Sequence, residues 1–171
     1  MGLYETLPYE VVKKEGPIEI RKYNDFLLAS TKTVLNQRYD SGFSNVFNYI
    51  SGRNKNKEKI SMTTPVVSYE ENQQLVTGFY VPSKYQKDTV PQPSDPNVFI
   101  DDYETALYGV IRFKGSWKEA HLKEKETELR AYLKKHQFNI ESQRLLFRYN
   151  PPFVPSVFRR NEIAFKVSES K

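Results

Sequence analysis

A chain of 171 residues with 38% hydrophobic, 27% charged and 14% aromatic side chains has the makings of a globular domain, and so many rings exclude disorder as its overall state. It has no cysteine and two histidines, His121 and His136, which excludes disulfides, thiolate metal sites and cysteine nucleophiles and leaves little room for a multi-histidine metal centre. The net charge of +5 raises nucleic acid as a partner, but the basic residues are scattered among acids and only residues 53–59 are locally basic, so no nucleic-acid partner is expected.

The first eight residues lack the basic and apolar regions of a leader, and no apolar run approaches the roughly 18 residues of a membrane span. The chain is therefore expected to have no membrane span and to be cytoplasmic. Gly2 with Thr6 fits the loose myristoylation pattern, which chance produces often.

Residues 9–14 read as a strand, Glu15-Gly16-Pro17 as a turn, and 18–23 as a half-buried strand of alternating apolar and charged residues. Asn24-Asp25 predicts another turn, and residues 26–34, rich in β-branched side chains, a third strand. The period then changes. Phe43, Val46, Phe47 and Ile50 fall at i, i+3, i+4 and i+7, one face of a helix that Asp40 or Ser41 would cap and Gly52 would end. Residues 53–59 form a polar connection, and strands follow at 66–69 and 75–81. Residues 82–97, with Pro82, Pro91, Pro93 and Pro96, predict a long surface loop rather than a domain boundary.

Strands are predicted again at 98–103 and 105–113. Ser116 and Glu119 have the spacing of a capping box, which starts a second helix running to about His136. Leu122, Leu129 and Leu133 share its inner face, while Glu119/Lys123 and Glu126/Arg130 make i,i+4 pairs on its wet side. Residues 143–149 and 162–167 read as closing strands. Between them runs a stiff, apolar, Pro-rich loop ending at Phe158.

Residues 26–81 and 105–167 share the order strand–helix–strand–strand, without visible identity. Two such halves predict one α+β domain over 1–171, a curved antiparallel sheet or open barrel with two helices outside. The halves are expected to superimpose about a pseudo-twofold axis, with a crevice where they meet as the natural ligand site.

Four segments resemble the SOUL/haem-binding protein family: PYEVVKKEGPIEIRKY at 8–23, FSNVFNYISGRN at 43–54, KISMTTPV at 59–66 and RYNPPFVPSVFRRNEIAF at 148–165. Their order and spacing cover nearly the whole chain. The resemblance implies two βαββ halves forming a distorted antiparallel β-barrel flanked by two helices, similar to gyrase-inhibitor-like effector-binding domains. It also implies binding of haem or another tetrapyrrole, for transport, buffering or sensing, in a shallow apolar groove beside the first helix and the Pro-rich loop. The matching positions are Phe43, Val46, Phe47 and Ile50 on the helix, Met62, and Phe153, Val154 and Phe158 on the loop. A porphyrin is a flat apolar disc with two carboxylates at one edge, and Arg53, Lys55 and Lys57 follow the helix as candidate rim cations. Some members carry His where this chain has Lys22, so a His ligand would have to be His121 or His136. Haem is expected to bind mainly by apolar contact and rim cations.

Each of these residues has a structural role to weigh as well. The helix stripe packs on its sheet, and Met62 fills a core gap. The histidines are solvated helix residues, and 53–59 is a solvated loop. Arg159 and Arg160 pin the Pro-rich loop through a carboxylate or backbone carbonyls. No catalytic motif stands out. The alternative is a small-molecule-binding or hydrolase domain of the gyrase-inhibitor-like type that uses Glu162 with a Tyr. Its sign would be a buried glutamate with a raised pKa.

Overall fold

The computed structural model describes residues 4–35, 43–151 and 153–171. Gly2 and the expected caps Asp40 and Ser41 lie outside the described residues. In chain order the strands are β1 (Glu5–Thr6), β2 (Glu10–Glu15), β3 (Ile18–Tyr23), β4 (Phe26–Val34), β5 (Thr63–Thr64), β6 (Val66–Glu71), β7 (Gln74–Tyr80), β8 (Val98–Tyr103), β9 (Ala106–Phe113), β10 (Phe138–Ile140), β11 (Leu145–Arg148) and β12 (Asn161–Glu169). Helix α1 (Phe43–Ile50) lies between β4 and β5, and α2 (Glu119–Lys135) between β9 and β10. Among the described residues no helix is long and apolar enough to cross a membrane.

The chain forms two compact units. Unit 1 takes residues up to Leu7 and Asp25–Glu104; unit 2 takes Pro8–Asn24 and Thr105–Lys171. Each combines one α-helix with antiparallel strands, the expected α+β class.

In unit 1 the strands run β6-β7-β4-β8, with β1 pairing parallel to β5 at one side. Strand β4 is apolar at successive positions, Phe26 to Ala29, because the segment is buried on both faces. Helix α1 packs Val46, Tyr49 and Ile50 against Leu27, Ala29, Phe79 and Val98 of β4, β7 and β8. Each such aliphatic side chain contributes roughly 1.5–3 kcal/mol when taken out of water.

In unit 2 the strands run β11-β12-β9-β3-β2, with β10 also pairing with β12. The two βαββ halves, β4-α1-β6-β7 and β9-α2-β11-β12, therefore order their strands identically: second, third, first. Each sheet then gains a further strand next to its first, β8 in unit 1 and β3 in unit 2. Neither unit's sheet closes on itself, so a barrel is a loose description of either.

Helix α2 buries Leu122, Leu129 and Leu133 as its spacing predicts. It approaches β9 closely at Gly109, where an added Cβ would lie 2.6 Å from Leu133 Cδ2. Two expectations for this helix fail. The capping box does not form: α2 begins at Glu119, with Lys118 in the N-cap position and no side-chain cap. Residues 115–117 are held elsewhere, by Gly115 N–H donating to Ser156 O (3.0 Å) and Trp117 Nε1 to Asn161 Oδ1 (2.7 Å). Glu119 pairs with Arg144 at 2.9 Å instead of serving the cap. Nor is Glu126 on the wet side. It is buried, bound by Arg130 at 2.6 Å and Arg144 at 3.1 Å, and although burial alone would raise its carboxyl pKa, these cations hold it below the usual range.

Candidate functional site

The residues singled out in the sequence fall into two groups, one in each unit. In unit 1, Val46 and Ile50 are buried and belong to the core under α1. Phe47, one position round the helix from Val46, is 48% exposed. Phe43 opens the helix, and its side chain lies outside the described part of the structure. Met62 is half-buried and packs against the core cluster. With Tyr49, Ile50, Ile60 and Phe79 it lines a gap of about 10 Å³. That volume admits one water at most, and Met62, Val46 and Ile50 are packing residues in this structure.

The polar connection after α1 is an ordered loop built round Asn54, which is buried. The Asn54 amide donates to Tyr49 O (3.0 Å) and Glu58 O (2.8 Å), and its Oδ1 accepts from the backbone N–H of Asn56 (3.2 Å) and Glu58 (3.1 Å). Gly52, at φ 118°, makes the turn out of the helix in a backbone region other residues rarely adopt. The exposed cations Arg53 and Lys57 therefore stand on a fixed backbone, and with Asn48, Asn54 and Asp95 they line an open depression of about 700 Å³. In the sequence Asn54 reads as one more solvated residue; an Asn two residues past a helix-ending Gly is the available signal.

In unit 2, Phe153 is 85% exposed, Phe158 69% and Val157 64%, while Val154 is half-buried. These rings stand on a loop tied down from below. Arg159 Nε donates to Val154 O at 2.9 Å, as expected of an arginine that pins this loop through a backbone carbonyl. Its guanidinium lies 4.1 Å from the centre of the Trp117 ring, and that of Arg148 lies 5.0 Å away. Arg160 N–H donates to Asn150 Oδ1 at 2.6 Å, and Asn161 Nδ2 to Gly115 O at 3.0 Å. Trp117 is thus the floor of the loop, a role its place before the second helix did not announce.

Beside the loop lies a buried ionic cluster. Arg21 binds Glu162 through both guanidinium branches at 2.8 and 2.7 Å and also donates to Glu19 and Tyr23 Oη, each at 2.8 Å. Arg160 and Arg112 reach the same Glu162 oxygen at 3.0 and 3.4 Å. Burial alone would raise the Glu162 carboxyl pKa, but Arg21, with Arg160 behind it, outweighs burial and holds it below the usual carboxylate range. The hydrolase alternative required the opposite shift. A carboxyl held ionised by guanidinium groups is a poor general acid and a weak base.

Both histidines belong to unit 2 and are engaged. His121 Nε2 lies 3.0 Å from Lys114 O, with its ring edge-on to Phe113. His136 sits between Lys13 Nζ and Glu15 Oε2, each at 3.4 Å, with its ring against Tyr132. Lys22 is exposed on β3. Among the described residues no group of three or more His, Asp or Glu is placed to hold a metal ion.

Strand order and helix placement define an α+β fold that recurs among solved structures. The crystal structure of the EcmrR C-terminal domain superimposes with a TM-score of 0.65 at 11% identity, covering 95% of this chain and 99% of that one. At the level of sequence the relationship is narrower. The chain belongs to the SOUL heme-binding protein family, whose model matches residues 4–166. It is similar to heme-binding protein 2 of Homo sapiens, 29% identical over 169 residues that cover 91% of this chain and 80% of that protein. It is likewise similar to heme-binding protein 1 of Xenopus tropicalis, 31% identical over 165 residues covering 90% and 85%.

Proposed function

We propose that this chain binds haem or a related planar tetrapyrrole at its surface, in a transport, buffering or sensing role. The observation that carries this reading is the exposure of large rings at the positions that match the family: Phe47 on α1, and Phe153 and Phe158 on the Pro-rich loop. On the loop of unit 2, Val154 adds a half-buried aliphatic contact. Within unit 1, Phe47 with Arg53 and Lys57 of the loop round Asn54 suits a disc with an apolar face and an anionic edge. The bound group would supply a redox-active iron. The chain's own residues bind and orient it through apolar contact and the cations, with His121 Nε2 at 3.0 Å from Lys114 O and His136 Nε2 at 3.4 Å from Glu15 Oε2.

Titration of the purified protein with haemin, followed by absorption, tests this. A saturable change is expected, with metal-free protoporphyrin binding within a few-fold of haemin because the contacts are to the ring and its carboxylates. Phe47→Ala and the pair Arg53→Gln/Lys57→Gln should each weaken binding, the second with reduced salt dependence. The reading fails if no saturable change occurs, or if binding requires iron and is indifferent to all three positions.

A further inference from the structure

The charge of the chain is divided unevenly between its units. Unit 2 carries 18 Lys and Arg against 10 Asp and Glu, a net of +8, whereas unit 1 carries 8 against 11, a net of −3. Unit 2 is also the unit whose loop holds Phe153, Val157 and Phe158 out in water. Leaving three large apolar side chains exposed within six residues is costly unless something covers them.

The loop's construction indicates what kind of surface that is. Part of its backbone is satisfied from within: Val154 N–H bonds Pro151 O at 3.1 Å, Phe158 N–H bonds Pro155 O at 2.9 Å, and Arg159 N–H bonds Ser156 O at 3.1 Å, which leaves the N–H groups of Phe153, Ser156 and Val157 open among the described residues. Pro151 and Pro155 have no N–H to satisfy. The loop's remaining N–H groups suit the headgroup boundary, which offers acceptors, rather than the hydrocarbon interior. The arginine and tryptophan beneath fix its shape, so little conformational freedom remains to be lost on docking. Exposed Lys114 and Lys118 flank Gly115, whose N–H is bonded to the loop at Ser156 O.

We propose that this loop is a docking surface for an anionic phospholipid bilayer: Phe153, Val157 and Phe158 enter the headgroup and acyl boundary while Lys114 and Lys118 meet the lipid phosphates. Apolar burial and attraction to anionic lipid together give reversible interfacial binding, which neither supplies alone. The inference goes beyond tetrapyrrole binding and stands without it.

The test is sedimentation of the ligand-free protein with vesicles of phosphatidylcholine alone and of phosphatidylcholine with phosphatidylserine, at low and high salt. Binding is expected to the serine-containing vesicles, weakened by salt and unaffected by soluble glycerophosphoserine, which separates a bilayer from a free headgroup. Phe153→Ser/Phe158→Ser should lower vesicle affinity by at least about tenfold, and Lys114→Ser/Lys118→Ser by several-fold with a shallower salt dependence. All four side chains are exposed, so melting temperatures should be unchanged, which separates lost docking from lost folding. Absence of binding to serine-containing vesicles at low salt overturns the proposal. So does loss only in the lysine pair, which would mark general electrostatic adhesion, or competition by the free headgroup. Capture of a protein through the loop without vesicle binding also overturns it. Haemin titration of the same variants is read separately, so either reading can fail without the other.

Discussion

Replacing Glu162 by Gln removes the one negative charge on which three guanidinium groups converge in unit 2. Arg21 keeps its bonds to Glu19 and Tyr23 but faces an amide that offers one acceptor where the carboxylate offered two. Breaking a buried ion pair from one side costs about 3–5 kcal/mol, and the surviving Arg21 contacts place the expectation near the lower end, about 3 kcal/mol. For a chain of this size that corresponds to a fall in melting temperature of about 6–12 °C. Urea denaturation of wild type and Glu162→Gln at pH 7 measures the cost directly. Acid supplies a second check. The folded carboxyl titrates below its ordinary range, so its contribution is present above the unfolded pKa of about 4.3 and is lost as pH falls through the folded value. The gap between wild type and variant should therefore narrow below about pH 4, where the native side chain gains a proton and comes to resemble the amide. A penalty under about 1 kcal/mol at pH 7, or a gap that widens with acid, would refute the account of this cluster.

Phe153→Ala should leave stability within about 0.5 kcal/mol, because the ring is exposed, while weakening haemin binding by about 1–3 kcal/mol; a fall in melting temperature with affinity intact would remove the loop from the site. The double change His121→Ala/His136→Ala should keep haemin affinity within a few-fold, and a hundredfold loss, about 2.7 kcal/mol, would reveal a histidine ligand. Asn54→Ala deletes four hydrogen bonds, three inside the 53–58 loop and one to Tyr49 O on α1, and should cost about 2–4 kcal/mol in denaturation, with weaker haemin binding as Arg53 and Lys57 lose their fixed backbone.

Local pattern carried most of the fold. The bounds of β3 and β4 follow from alternation and β-branched content bracketed by turn residues, and the stripe Val46, Phe47 and Ile50 of α1 from helical spacing, because in those segments local pattern and tertiary structure agree. Where tertiary contact competes with a local signal, the local signal lost. Ser116 and Glu119 look like a capping box until Trp117 is drawn to Asn161 and Glu119 to Arg144. The short strands β1, β5 and β10 left no periodic trace, since two or three residues cannot show one. In IEIRKY the face bearing Glu19, Arg21 and Tyr23 reads as wet; it is buried because Glu162, far along the chain, neutralises it. The candidate site was legible in kind more than in detail. The helix stripe mixed core positions with one exposed ring, and only the structure separates Phe47 from Val46 and Ile50.

The strand that follows the first turn has a consequence for the order of synthesis. β2 and β3 leave the ribosome early, yet the pairing of β3 is with β9, which sets Ile18 opposite Ile111. Unit 1 has all its strands once residue 104 is made, while the hairpin at 10–23 must still wait for its own sheet. During that interval Ile18 and Ile20 lack their native cover, and so distant a contact forms slowly. The nascent hairpin is then open to unwanted pairing. The hairpin's other edge, on its outer strand EVVKKE, is guarded throughout by two lysines, two glutamates and a register shift between Val11 and Lys13 that disrupts a flat edge.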